Sequence, residues 1–325
     1  MRPLILPANQ PKHRFYRGGQ RIAAFRGTPE WEEFTPEDWV ASVTAVFGQS
    51  PVGMTVLDDG RTLADAIAAD PLPWLGPDHL AAHGNDTLLL VKLLDAGQRL
   101  PIHAHPNDDF ASSHLGTKHG KAEAWYILDP GTVYLGLTQA VPRADLLRLI
   151  AEQEMGTLLD SMHEIDVAAG DTVFVPPGTL HAVGVGTFLV EVQQPEDLSI
   201  LVEWRGFDID GSVDGHLGIG FDQATQAISV DALTQPDVDE LVVRGATGST
   251  LSTRSRPFFR LDLAEAGSVH EAGYAVAVAH RGPAVIRGAE GDQALPAGST
   301  TLVPYAFGEY TVLEGALLVA KPPRG

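Results

Sequence analysis

At 325 residues the chain can bury a large core, as one large domain or two to three small ones. Its 44% apolar content is that of an ordinary globular protein, while a formal net charge of −20 with no Lys/Arg-rich run sets it against nucleic acid and anionic membrane surfaces as partners. There are no cysteines, which excludes disulfides and thiolate metal sites.

The opening MRPLILPANQPKHRFYRGG carries no apolar run long enough for a secretion signal, and no later stretch approaches a bilayer span, since LLLVKLL is broken by Lys92. The expectation is a cytoplasmic protein. Strand signals then dominate the first half, in SVTAVF, DTLLLVKLLDA, AWYILD, TVYLGLT, DTVFVPP and TFLVEVQQ, each bounded by Gly, Pro or Asp turns. RTLADAIAAD reads as a short helix. RADLLRLIAEQEMGTLLDSMHE reads as an amphipathic helical pair inserted between two strand groups. Residues 212–250 are turn-rich, then acidic and helix-compatible in VDALTQPDVDELV. A second all-β stretch, from FFRLDLAE to ALLVAKP, closes the chain.

The fold class this predicts is mainly β, tandem jelly-roll barrels with a small helical insertion; the motifs below are what mark the first barrel as cupin-like. The expected division is a catalytic barrel with N-terminal strands over 1–140 and 162–211. The insertion falls at 141–161 and a connecting segment at 212–250, before a second, metal-free barrel at 251–325. That second stretch holds His270 and His280 but no His-x-His and no matching Glu.

The chemistry concentrates in the first half. Leu100-Pro-Ile-His-Ala-His105 ends a strand-like run, and alternation puts His103 and His105 on one face, where two imidazoles at i and i+2 can chelate one ion. In Gly120-Lys-Ala-Glu-Ala-Trp125 the same alternation puts Lys121, Glu123 and Trp125 on a shared face. Gly170-Asp-Thr-Val-Phe-Val-Pro-Pro-Gly-Thr-Leu-His181 has a turn, a buried strand and a second turn before His181. Its spacing, G-x5-P-x-G-x2-H, matches the second cupin motif, although Val185 stands where that motif ends in Asn. His103, His105, Glu123 and His181 are therefore the expected ligands of one divalent metal ion. The expected ion is Zn2+, although nitrogen and oxygen ligands admit Mn2+, Fe2+ and Ni2+ alike.

Over nearly its whole length the sequence resembles the type I mannose-6-phosphate isomerases. The resemblance rests on Tyr16-Arg-Gly-Gly19, Glu37-Asp-Trp-Val-Ala-Ser42, Leu90-Val-Lys-Leu-Leu-Asp-Ala96, His105-Pro-Asn-Asp108, Gly120-Lys-Ala-Glu-Ala-Trp-Tyr126, Val175-Pro-Pro-Gly-Thr-Leu-His-Ala182 and Glu191-Val-Gln-Gln194. It implies aldose–ketose isomerisation of a sugar or sugar phosphate through a cis-enediolate. His105, Glu123 and His181 match family metal ligands. Lys92 and Lys121 match active-site lysines, and with Trp125 they are the expected substrate contacts; Glu191, ten residues after His181, joins Lys121 as a catalytic candidate for the proton shuttle.

Three positions depart from the family. His103 stands where the family has Gln, Pro101 where it has a phosphate-associated Ser, and Leu201 where it has a catalytic Arg. Arg205, four residues on, is the candidate replacement cation. The alternatives this leaves are an isomerase or epimerase of a non-phosphorylated sugar, a cupin dioxygenase, and a metal-binding cupin that has lost catalysis.

Overall fold

The computed structural model describes residues 1–245 and 247–324. Its strands assemble into two pairs of antiparallel sheets, the tandem β architecture that the turn-punctuated runs predict. In the first pair, one sheet runs Val242–Val243, Thr172–Val175, Glu123–Asp129, Phe188–Gln193, Leu90–Asp95, Glu37–Val40. The other runs Ile200–Leu201, His103–Ala104, His181–Val183, Gly131–Leu137, Met162–Val167. In the second pair, a six-stranded sheet is centred on Ala275–Val278 and Ala316–Lys321, and a four-stranded sheet contains Val269–His270 and Tyr310–Glu314.

Alternation explains how the halves join. In the six-stranded sheet of the second pair, Leu261, Val276, Val278, Leu302 and Leu318 pack in one core with Val91, Phe174 and Val190 of the first half. The residues between them, Ala264, Ala275, Ala277, Val303 and Val319, face the other way, into the second barrel's own core with Ile286 and Val312. One sheet thus buries large aliphatics against the first barrel and mostly small side chains within its own.

The helical insertion forms Arg143–Glu152 and Met155–Asp160. Leu146, Leu149, Ile150 and Leu158 bury against Ile102, Ala104, Leu180 and Ile200. The helices cover the outer face of the sheet that carries His103, so in His-x-His the intervening Ala104 faces the helices.

Three details differ from the sequence reading. Leu4–Leu6, expected with the first barrel, pairs instead with Thr300–Val303, completing an edge of the second barrel's sheet in the register Leu4↔Leu302. The connecting segment gives a strand to each half, Val242–Val243 beside Thr172–Val175 and Gly248–Ser249 beside Arg260–Glu265. SVTAVF is not a strand. Ala41 has φ 50°, and the Ser42 hydroxyl accepts from Thr44 N–H and donates to Thr44 O, diverting the backbone from a ladder.

A candidate metal centre and its lysine–carboxylate surround

His103 and His181 are directly opposed on adjacent strands of one sheet, and Glu123 comes from the facing sheet. His105 follows one residue after the short strand His103–Ala104. The four potential ligand atoms lie within 4.8 Å of one another, and all four side chains are buried.

Two motif glycines make the approach possible. A Cβ on Gly120 would stand 2.2 Å from Pro106 O. Gly178, at φ +84°, donates its N–H to His105 O at 2.7 Å, tying the Pro-Pro-Gly turn to the ligand segment. Asp108 then sets the level of the Glu123 strand. Its Oδ1 accepts from Gly120 N–H at 2.8 Å and from the Gln194 amide at 2.9 Å, while Gln194 Oε1 accepts from Ala122 N–H at 2.8 Å.

The imidazoles are presented for coordination. Each Nδ1 meets a backbone carbonyl: His103 with Pro101 O at 2.8 Å, His105 with Leu198 O at 2.6 Å, His181 with Thr179 O at 2.8 Å. Nδ1–H donation there leaves the Nε2 lone pairs turned to the centre. Burial, reinforced for His103 by His181 and for His105 by Lys121, holds both imidazoles below their ordinary range, His105 at about 3. Neutral His105 Nε2 nevertheless lies 3.0 Å from Glu123 Oε2, and His181 Nε2, which has no hydrogen-bond partner, lies 3.1 Å from Glu123 Oε1. The Lys121 ammonium lies against both atoms of the first pair, but the lone pairs of the second repel unless a further cation lies between them. Three imidazoles and a carboxylate fit a divalent ion.

A row of polar residues crosses the neighbouring sheet. Trp39, Lys92, Glu191 and Trp125 are directly opposed on four consecutive strands and share one face. Lys92 Nζ lies 3.2 Å from Glu191 Oε1, 3.5 Å from Glu37 Oε2 and 4.7 Å from the Trp39 ring centroid. Lys121 Nζ lies 2.8 Å from Glu123 Oε2, 3.0 Å from His105 Nε2 and 4.0 Å from Glu191 Oε1. Burial and the Glu123 charge push the Glu191 carboxyl above its ordinary range. Burial acts the same way on Glu37, but Arg14 and Lys92 outweigh it and hold that carboxyl well below the usual range. The buried Trp125 ring lies 5.7 Å from that of His181.

Five residues without a role in the sequence reading complete this surround. Arg14 lies 3.2 Å from Glu37 Oε1 and 3.7 Å from Asp197 Oδ2. The Tyr16 hydroxyl and the Trp39 indole each donate to Glu37 at 2.7 Å. A cavity of about 30 Å3 joins Arg14, Lys92, Lys121 and Glu191 to His103, with Pro101 and Leu201 in its wall. The Tyr16 and Glu37 segments belonged to the resembling stretches, but nothing local in them signals convergence on Lys92. Arg205 is a correction. It is exposed, and its guanidinium reaches Glu152 O on the helical insertion at 3.4 Å. Leu201 faces the cavity, whereas Arg205 lies beyond the strand's end, where the chain turns outward. Lys118 is exposed and pairs with Asp86 at 2.7 Å.

No protein-family model matches the chain. Among curated proteins it is 32% identical over 232 residues to the probable mannose-6-phosphate isomerase GmuF of Bacillus subtilis, spanning 69% of each chain. The chain belongs to the mannose-6-phosphate isomerase family. It is also 32% identical over 214 residues to the mannose-6-phosphate isomerase of Streptococcus mutans, covering 64% of this chain and 61% of that protein's length. The match to mannose-6-phosphate isomerase ManA of Bacillus subtilis is 37% over 198 residues, 59% of this chain and 57% of the relative. The fold agrees over the full length. A crystal structure of the Bacillus subtilis mannose 6-phosphate isomerase superposes with TM-score 0.73 at 21% identity, covering 98% of this chain and 99% of the other. The apo form from Salmonella typhimurium gives 0.73 at 14%, covering 99% and 98%. The described residues of this family member include no helix long and apolar enough to cross a membrane.

Proposed function

We propose that this chain interconverts mannose 6-phosphate and fructose 6-phosphate by proton transfer between C2 and C1 of the open-chain sugar. The observation that carries the reading is Glu191, a buried carboxyl whose pKa is raised by burial and by Glu123, beside the candidate metal centre in a mannose-6-phosphate isomerase family member. His103, His105, Glu123 and His181 would hold one divalent ion, for which Zn2+ is our assignment; when bound, it polarises substrate oxygens and offsets the negative charge that develops on them.

The other roles follow from this chain's own groups. Glu191, as a carboxylate balanced by Lys92, is placed to take the C2 proton and return it to C1. Its raised pKa makes it a stronger base than an exposed Glu. Lys121 is placed to donate to a substrate oxygen, because its ammonium already rests against two ligand atoms. Lys92 and Arg14 supply further cations on the cavity wall, where Pro101 and Leu201 supply none. The cavity, with room for about one water, must widen to admit a sugar phosphate. Trp125 beside His181 would wall the site and exclude water. We assign the domains as the two sheet pairs, and the location as cytoplasmic.

The test is proton exchange at C2 in deuterated water, with mannose 6-phosphate and free mannose offered to zinc-loaded protein. Exchange and ketose formation with mannose 6-phosphate are expected. Exchange with free mannose alone would move the assignment to a non-phosphorylated sugar, and exchange with neither would overturn it.

A further inference from the structure

The second barrel carries a cavity of its own. About 680 Å3 in volume, it lies between the helix Pro77–His83 and the barrel, and it shares no lining residue with the cavity beside the metal centre. Its size is that of small-molecule sites. The space exists because Ala264, Ala272, Gly273 and Ala275 line it where larger side chains would fill it.

Two of its buried lining residues are polar and carry unsatisfied atoms. His270 and Tyr310 are directly opposed on adjacent strands, their rings stacked with centroids 5.0 Å apart, and they are only 6% and 2% exposed. Both line the cavity. Lys321 Nζ lies 2.7 Å from His270 Nδ1 and 3.4 Å from Asp262 Oδ2. An ammonium can only donate, so Nδ1 accepts and the imidazole proton sits on Nε2. Burial and the Lys321 charge push this imidazole down to about 4, so it is neutral near pH 7. His270 Nε2 and the Tyr310 hydroxyl are buried with no hydrogen-bond partner among the described residues. Leaving such groups unpaired is costly, and a ligand hydroxyl would satisfy both.

We propose that this cavity is a second binding site, specific for a neutral saccharide, with hydroxyls received by His270 Nε2–H, the Tyr310 hydroxyl and the Lys321–Asp262 pair. The charges decide against a phosphate ester. Asp78, Asp262 and Glu271 on the lining are matched by Arg260, Lys321 and Arg324, leaving no net positive charge for an anion. Tyr274 and Tyr305 add aromatic rings to the same wall, which suit the apolar faces of sugar rings. This inference does not depend on the isomerase reading, since none of these residues lines the metal-site cavity.

Calorimetry and ligand-observed NMR on the full, metal-loaded chain test it, with mannobiose, maltose and cellobiose as neutral probes and inorganic phosphate as the anion. At least one disaccharide is expected to bind at millimolar concentration while phosphate does not. Tyr310→Phe, which removes one oxygen without changing the packing, and Lys321→Met should each weaken that binding about fivefold or more. Isomerase turnover and the melting temperature of Tyr310→Phe should stay at wild-type values. Binding of no disaccharide, binding of phosphate instead, or disaccharide affinity indifferent to both variants would overturn the proposal.

Discussion

Lys92 and Glu191 face each other across adjacent antiparallel strands, Nζ to Oε1 3.2 Å, both almost wholly enclosed. Neither charge is tolerable there alone. Burial lowers the Lys92 pKa, yet Glu191 and Glu37 together raise it above its ordinary value, so the ammonium stays charged. The pair places a compensated base next to the candidate metal centre without placing it among the ligands.

Glu191→Gln keeps the shape and removes the base. C2 proton exchange should fall by about 10²- to 10⁴-fold, with metal content unchanged. Exchange in deuterated water and metal analysis on the same sample check this, and exchange within a few fold of wild type would remove Glu191 from proton transfer.

The ligand set predicts different outcomes at different positions. His181→Ala should weaken metal affinity by more than about 100-fold, because loss of a ligand exceeds the loss of an outer hydrogen bond. His103→Gln retains an amide oxygen as donor and should still bind one ion per chain. Competition with a chelator measures both.

Histidine burial sets a pH dependence for the metal-free protein. His105 at about 3, and His270 and His280 at about 4, lie below the ordinary imidazole value near 6.5. Between those limits the unfolded chain binds more protons than the folded one, so stability falls as pH drops below about 6.5 and is unaffected above it. Each imidazole contributes a slope of up to about 1.4 kcal/mol per pH unit. Chemical denaturation at several pH values with chelator present should show this fall; a flat profile from pH 7 to pH 4.5 would contradict it.

Asp108→Ala should destabilise the protein by about 1–3 kcal/mol, since Gly120 N–H and the Gln194 amide lose one shared acceptor. Gln194 also holds Ala122, next to Glu123, so metal affinity should fall with it. Denaturant titration and metal binding on the same variant test the coupling.

Arg205→Ala should leave turnover with mannose 6-phosphate within about twofold of wild type, an exposed substitution without effect on the site. A loss of tenfold or more would return Arg205 to the catalytic machinery.

The sequence by itself determined the candidate metal-ligand group and the tandem β class, because both rest on local rules. Alternation puts His103 and His105 on one face, glycines and prolines mark turns, and a fixed spacing carries Gly170 to His181. What only the tertiary structure decided depends on register between strands distant in the chain. The row Trp39, Lys92, Glu191, Trp125 exists because four strands align at one level, and no spacing along the chain encodes that alignment. The same holds for Arg14 and Tyr16 gathering on Glu37, for Leu4–Leu6 crossing to the second barrel, and for Arg205 turning away where proximity in sequence to Leu201 suggested the site. Local periodicity states which face a side chain takes; cross-strand register states which side chains meet.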